Sequence, residues 1–217
     1  MPAVSGNNGI IYRIVKTSSD TNHVIIDGNS SETINGRTTY ELYGQYNSVQ
    51  IECNGTAWNT ISSPENLIAI VEDRKTAGTS GGSSVTGSYQ NRALNNVIGD
   101  TDFIAINGTD NFTLEPGKYY IEWTCTFNGT DSTTTELYDS TNTAKVADGH
   151  NVLASTGIVT LGTGRATVEI TASTTYNLRY ACQTVHATIG LGNSVAPYLV
   201  GDNAYEIYAQ ITTTKIK

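Results

Sequence analysis

Apolar residues in this chain recur at alternate positions over short runs, and no long stretch repeats them every third or fourth residue as a helix would. The clearest alternation is Tyr119, Ile121, Trp123, Cys125 and Phe127, with Glu122, Thr124 and Thr126 between them. A period of two puts each set on its own face of a strand. The same pattern, or a β-branched and aromatic run, predicts strands over residues 10–16, 23–27, 39–43, 49–53 and 58–61. Further strands are predicted over residues 68–72, 92–95, 103–107, 111–114, 118–127, 136–139, 158–161, 167–171, 176–182 and 205–215. Asn35-Gly36 and Asn54-Gly55 are strong turn signals, because both residue types tolerate positive φ. Gly162-x-Gly164 reads as a strand turn rather than a phosphate loop, since no helix follows it. Many short strands closed by turns predict an all-β fold of the sandwich or jelly-roll type.

The pattern divides the chain. Residues 1–9 (MPAVSGNNG) are small and polar and read as a flexible arm that a neighbouring subunit or other partner would hold in place. Residues 10–61 form a small β module with little interior of its own, expected to complete its core against other copies. Residues 62–67 (SSPENL) mark a hinge at Pro64, and residues 68–217 hold the larger domain, with a Gly/Ser loop over 78–88.

Composition narrows the function. Of 217 residues, 38% are apolar and only 15% charged, so Thr, Ser and Asn must keep the outer strand faces wet. The net charge of −8 comes with no cluster of Lys or Arg, which argues against nucleic acid and against an anionic membrane surface as partners. No run approaches the roughly 18 apolar residues of a membrane span, and residues 1–9 lack the features of a signal peptide. The expectation is a soluble protein made in a reducing cytoplasm that reaches an exterior by assembly or lysis. Cys53, Cys125 and Cys182 are an odd, scattered set. They read as buried thiols, with a Cys125–Cys182 bridge as the alternative.

No catalytic constellation emerges. His23, His150 and His186 lie in unrelated segments without Cys or carboxylate at metal-ligand spacing. Asp27, Asp100, Asp102, Asp110, Asp131, Asp139, Asp148 and Asp202 sit in or beside turns, where Asp bonds its own backbone. Gly-x-Ser-x-Gly is absent. The expectation is a protein that is not an enzyme and needs no cofactor. The Tyr and Trp residues suit a core, a subunit interface or sugar stacking. His150, Asn151 and Tyr198 are the candidates for host contact.

Phe112, Gly117, Tyr119, Ile121 and Trp123 lie within FTLEPGKYYIEW, which resembles the signature of the jelly rolls in complement globular heads and tumour-necrosis-factor-like ligands. Residues 89–95, 136–139 and 203–217 are similar to phage versions of that domain. Residues 10–61, through the patterns at 24–27, 28–36, 39–43, 46–51 and 55–58, resemble a short module of phage head and tail fibres. These resemblances imply a homotrimer, and Ca²⁺ bound by loop oxygens in some members. They also imply a phage virion protein displayed on the particle as capsid decoration or head fibre. Residues 1–61 would contact a capsid or tail protein, and host-surface polysaccharide is a further expected partner. A tail fibre or tail-tip receptor-binding protein, and a free glycan-binding lectin or adhesin, are the alternatives.

Overall fold

The computed structural model describes residues 1–20, 22–42, 45–62, 67–101, 103–194 and 205–216. Among them there is no helix, and so none long and apolar enough to cross a membrane. The chain divides into two compact units, Met1–Glu65 and Asn66–Lys217.

The first unit contains β1 (Ile11–Val15), β2 (Val24–Asp27), β3 (Thr39–Leu42), β4 (Ser48–Cys53) and β5 (Trp58–Ser62). A three-stranded antiparallel sheet runs β1-β4-β5, and β2 and β3 form a separate ribbon. Along β4, Val49, Ile51 and Cys53 turn inward and Ser48, Gln50 and Glu52 outward. They join Ile26, Ile34, Leu42 and Trp58 in a small core. Residues 1–9 are not a free arm. Met1 and Val4 pack against this core, the Val4 amide donates to Glu32, and the Trp58 indole N–H donates to the Pro2 carbonyl at 3.2 Å. Trp58 packs within this core and against the Tyr12 ring 5.6 Å away, and the first residues supply the partner for its N–H. Of the predicted hinge, Ser62 belongs to β5 and Leu67 opens the next strand, while residues 63–66 lie outside the described residues.

The second unit begins with β6 (Leu67–Thr76), β7 (Gln90–Asn91), β8 (Asn96–Gly99), β9 (Ile104–Ile106), β10 (Phe112–Leu114) and β11 (Gly117–Asn128). It continues with β12 (Asp131–Asp139), β13 (Ala144–Asp148), β14 (Val152–Ala154), β15 (Val159–Ile170), β16 (Thr174–Cys182) and β17 (Tyr205–Ile216). One sheet has the order β15-β11-β17-β6-β8 and the other β13-β12-β16-β10-β9, with β7 on β16 and β14 on β12. From β10 onward the chain passes repeatedly from one sheet to the other. That strand order is a jelly-roll sandwich.

The core lies between the sheets. Phe112 stacks on its cross-strand partner Tyr176 at 5.7 Å, and Tyr119 on Phe103 at 5.6 Å. Ile121 is fully enclosed, and the Trp123 indole donates to Thr135 Oγ1 at 2.9 Å. Four signature residues, Phe112, Tyr119, Ile121 and Trp123, are thus core residues. Gly117 starts β11 where a side chain would press on Lys215. Arg92 is also fully buried. It faces Asp73 at 3.6 Å and donates to the Tyr208 carbonyl at 2.7 Å.

Several strand expectations shift. Residues 92–95 are not a strand but link β7 to β8, because Arg92 and Leu94 are drawn into the core. Residues 158–161 and 167–171 belong largely to a single strand, β15, with Gly162 and Gly164 inside it rather than at a turn. The rings of Phe127 and Trp123 occupy the space where Cβ atoms on those glycines would sit. Strands β13 and β14 have no counterpart in the sequence reading. Residues 78–88 form no strand, yet they are tied to residues 184–192 by bonds such as Gly81 N to Gly192 O and Ser84 N to His186 O. Cys53, Cys125 and Cys182 are free and buried, so the Cys125–Cys182 alternative is not realised.

Candidate assembly face and surface grooves

Because Ala69, Val71, Gly162 and Gly164 turn inward, their neighbours turn out onto the open face of the five-stranded sheet. The register lays down transverse rows. One runs Ile98, Ile70, Thr212, Glu122, Arg165, and the next Asn96, Glu72, Gln210, Thr124, Thr163. Glu72 is nearly enclosed and accepts from Asn96 Nδ2 at 2.9 Å and Gln210 Nε2 at 3.0 Å, which satisfies its carboxylate. The middle of this face is therefore polar. Its borders are not: Ile68 and Ile98 are 49% and 47% exposed on one side, Val159 and Leu161 44% and 56% on the other.

A groove of about 580 Å³ opens on the polar middle, lined by Glu122, Arg165, Gln210, Asp148 and His150 among others. The link between β13 and β14 is clamped to β15 there. Its Gly149 and His150 amides donate to the Thr135 and Thr163 carbonyls, both at 2.7 Å, and His150 Nδ1 meets Thr163 Oγ1 at 3.0 Å. Glu122 accepts from the Tyr120 hydroxyl at 2.9 Å, and Asp148 pairs with Lys145 at 2.9 Å.

Asn151 follows His150 directly but lines a different groove, of about 650 Å³, on the outer side of the other sheet with Ser132, Thr134, Leu153 and Gln183. The structure therefore separates the two expected contact residues, and Tyr198 lies outside the described residues. Sequence reasoning missed a neighbouring surface cluster. Arg179 donates to Glu136 and lays its guanidinium 3.3 Å from the Tyr138 ring centre, with Tyr89 beyond at 5.2 Å. Burial, reinforced by Glu136, holds the Tyr89 hydroxyl above its ordinary pKa. The period-two alternation of β12 and β16 was the signal that could have placed Glu136 and Arg179 on one face.

Among the described residues no three His, Cys, Asp or Glu side chains converge as a metal site would require. His23 bonds Glu41 in the first unit, and His186 meets the Ala187 carbonyl in the second.

No family model and no curated protein matches the chain. Among solved structures it is similar to the globular domain of zebrafish complement 1qA protein, at 15% identity and TM-score 0.45, over 70% of this chain and 98% of that one. Murine APRIL at pH 5.0 aligns at 6% identity and TM-score 0.46, over 70% of this chain and all of that one. The structure of infectious bursal disease virus, Gx strain, aligns at 12% identity and TM-score 0.35, over 99% of this chain and 53% of that one. The jelly-roll assignment rests on the molecule's own strand order, with two sheets between which the chain crosses repeatedly from β10 onward.

Proposed function

We propose that this chain is a non-catalytic structural protein of a phage particle. The second unit assembles as a homotrimer displayed as capsid decoration or head fibre, and the first unit attaches it to a capsid or tail protein. One observation carries the reading: the open face of the five-stranded sheet is apolar along both borders and polar between them. An apolar border of one copy set against the opposite border of the next is a head-to-tail contact, and such contacts close into rings. In that trimer the Glu122–Arg165–His150 groove lies on the polar stretch between the two contacting borders. The Asn151 groove stays on the outer sheet, where three copies would contact repeated host-surface polysaccharide with avidity.

Light scattering on the full-length chain tests assembly. A trimer is expected, and Ile98→Lys or Leu161→Lys would reduce it to monomer. A wild-type monomer at micromolar concentration would overturn the trimer. Immunogold microscopy with antibody against residues 68–217 tests placement. Gold over the capsid supports decoration, gold at the tail transfers the role to receptor engagement, and unlabelled particles favour a free lectin.

A further inference from the structure

The first unit leaves one sheet edge open. In the order β1-β4-β5, β1 pairs with β4 alone among the described residues. Lys16 N donates to Asn47 O and Cys53 N donates to Ile10 O, so the even-numbered residues of β1 bond β4. In an antiparallel ladder the intervening residues then aim their N–H and C=O groups the other way. Ile11, Arg13 and Val15 accordingly present a row of donors and acceptors to the outside, and none of those groups has a partner among the described residues.

The opposite edge is protected. Trp58 N donates to Thr33 O, Asn35 N donates to Trp58 O, and the Asn35 side chain both accepts from Thr60 N at 3.0 Å and donates to Thr60 Oγ1 at 2.8 Å. A protein that shields one edge with a dedicated side chain leaves the other with Ile10, Ile11, Tyr12 and Val15 exposed and with no proline or bulge. Such an edge is a template for strand addition. Arg13 sits at its centre, exposed and in no ion pair among the described residues.

We propose that β1 is a docking edge that captures an extended segment of another virion polypeptide. The segment would have apolar or β-branched residues at alternate positions and a carboxylate opposite Arg13. Charge favours this occupant over a second copy: the two-fold β1–β1 pair centred on Arg13 sets two guanidinium groups side by side, and the neighbouring registers leave Arg13 opposite Ile11 or Val15 with no carboxylate. The inference deepens the attachment role proposed for this unit and rests on it only for the partner's location.

The test uses the full-length chain and a capped seven-residue peptide alternating Val and Thr around a central Glu, with a central-Lys peptide as control. Amide exchange by NMR should be fast at Ile11, Arg13 and Val15 and slow at Tyr12 and Ile14 in the free protein. The Glu peptide should protect the odd-numbered amides and bind about three- to tenfold more tightly than the Lys peptide. In Arg13→Glu the preference should invert. Val15→Pro removes an outward N–H without touching the β4 ladder, so it should keep the fold and weaken capture. No protection at millimolar peptide, or equal protection by both peptides, would overturn the proposal. So would protection that rises with protein concentration alone, which would assign the edge to a second copy. Unlabelled virions in the immunogold experiment would move the partner off the particle and leave the peptide result standing.

Discussion

The second unit buries Trp123 between two sheets of its own, whereas the first packs Trp58 into a small core that draws on residues 1–4 for further cover and for the partner of its N–H. In the larger unit each sheet supplies a lid for the other, and the Trp123 N–H trapped inside finds Thr135 Oγ1 on the facing sheet. In the smaller unit three strands and a ribbon leave one tryptophan N–H and one strand edge without a partner. The first is met locally and the second is left for another molecule. Unit size decides the difference, because the share of surface a chain can bury falls as it shortens.

Four experiments would break or sharpen that comparison. The largest effect is expected at Arg92. Arg92→Met leaves the fully buried Asp73 carboxylate with Lys75, at 3.2 Å, as its remaining cation and removes the donor to the Tyr208 carbonyl, so it should cost the second unit about 3–5 kcal/mol, while adding Asp73→Leu should recover part of it. Denaturant melts of both variants check this, and a recovery of nothing would mean that the two groups do not depend on each other. Deleting residues 1–4 should cost the first unit about 2–4 kcal/mol, the sum of two or three hydrogen bonds and the cover from Val4. In a Trp123→Phe background, Trp58 emission should shift to the red, and an unchanged spectrum would show that the arm is dispensable.

Alkaline pH should separate the units next. Burial pushes the Cys125 thiol up to about 11 from its ordinary 9.0. Between those values the unfolded chain loses a proton that the folded chain keeps. Stability is therefore full below pH 9 and falls towards pH 11, by about 2–3 kcal/mol for this group. Melts across that range on Cys125→Ala should show a shallower slope for the second unit. The smallest effect belongs to Gly164→Ala, whose added methyl overlaps the Trp123 ring and should cost about 1–3 kcal/mol. A variant as stable as the parent would show that β15 can move away.

Much of this was legible in the chain. The alternation from Tyr119 to Phe127 placed those side chains in the core, and Asn54-Gly55 stands at the β4–β5 turn. What escaped was set by neighbours distant in sequence. Gly162 and Gly164 look like a break until Phe127 and Trp123 are seen lying against them, and residues 1–9 look unstructured until Trp58 needs a partner for its N–H. Strands β13 and β14 are too short for a period to show. Of the surface residues, His150 does line a groove, but nothing local could separate it from Asn151, because a one-residue step sends them to different sheets.

The last strand, β17, lies in the middle of its sheet, between β11 and β6. Until residues 205–216 have left the ribosome, β6–β8 and β11–β15 are two separate hairpin-like halves, each with a bare inner edge. The nascent second unit therefore carries two sticky margins for most of its synthesis, and its longest-range pairing, between Leu67 and Lys215, forms last. Crowded translation of one message by many ribosomes would bring such half-sheets close together. The yield of soluble protein should accordingly respond to expression rate and temperature more than to the stability of the finished fold.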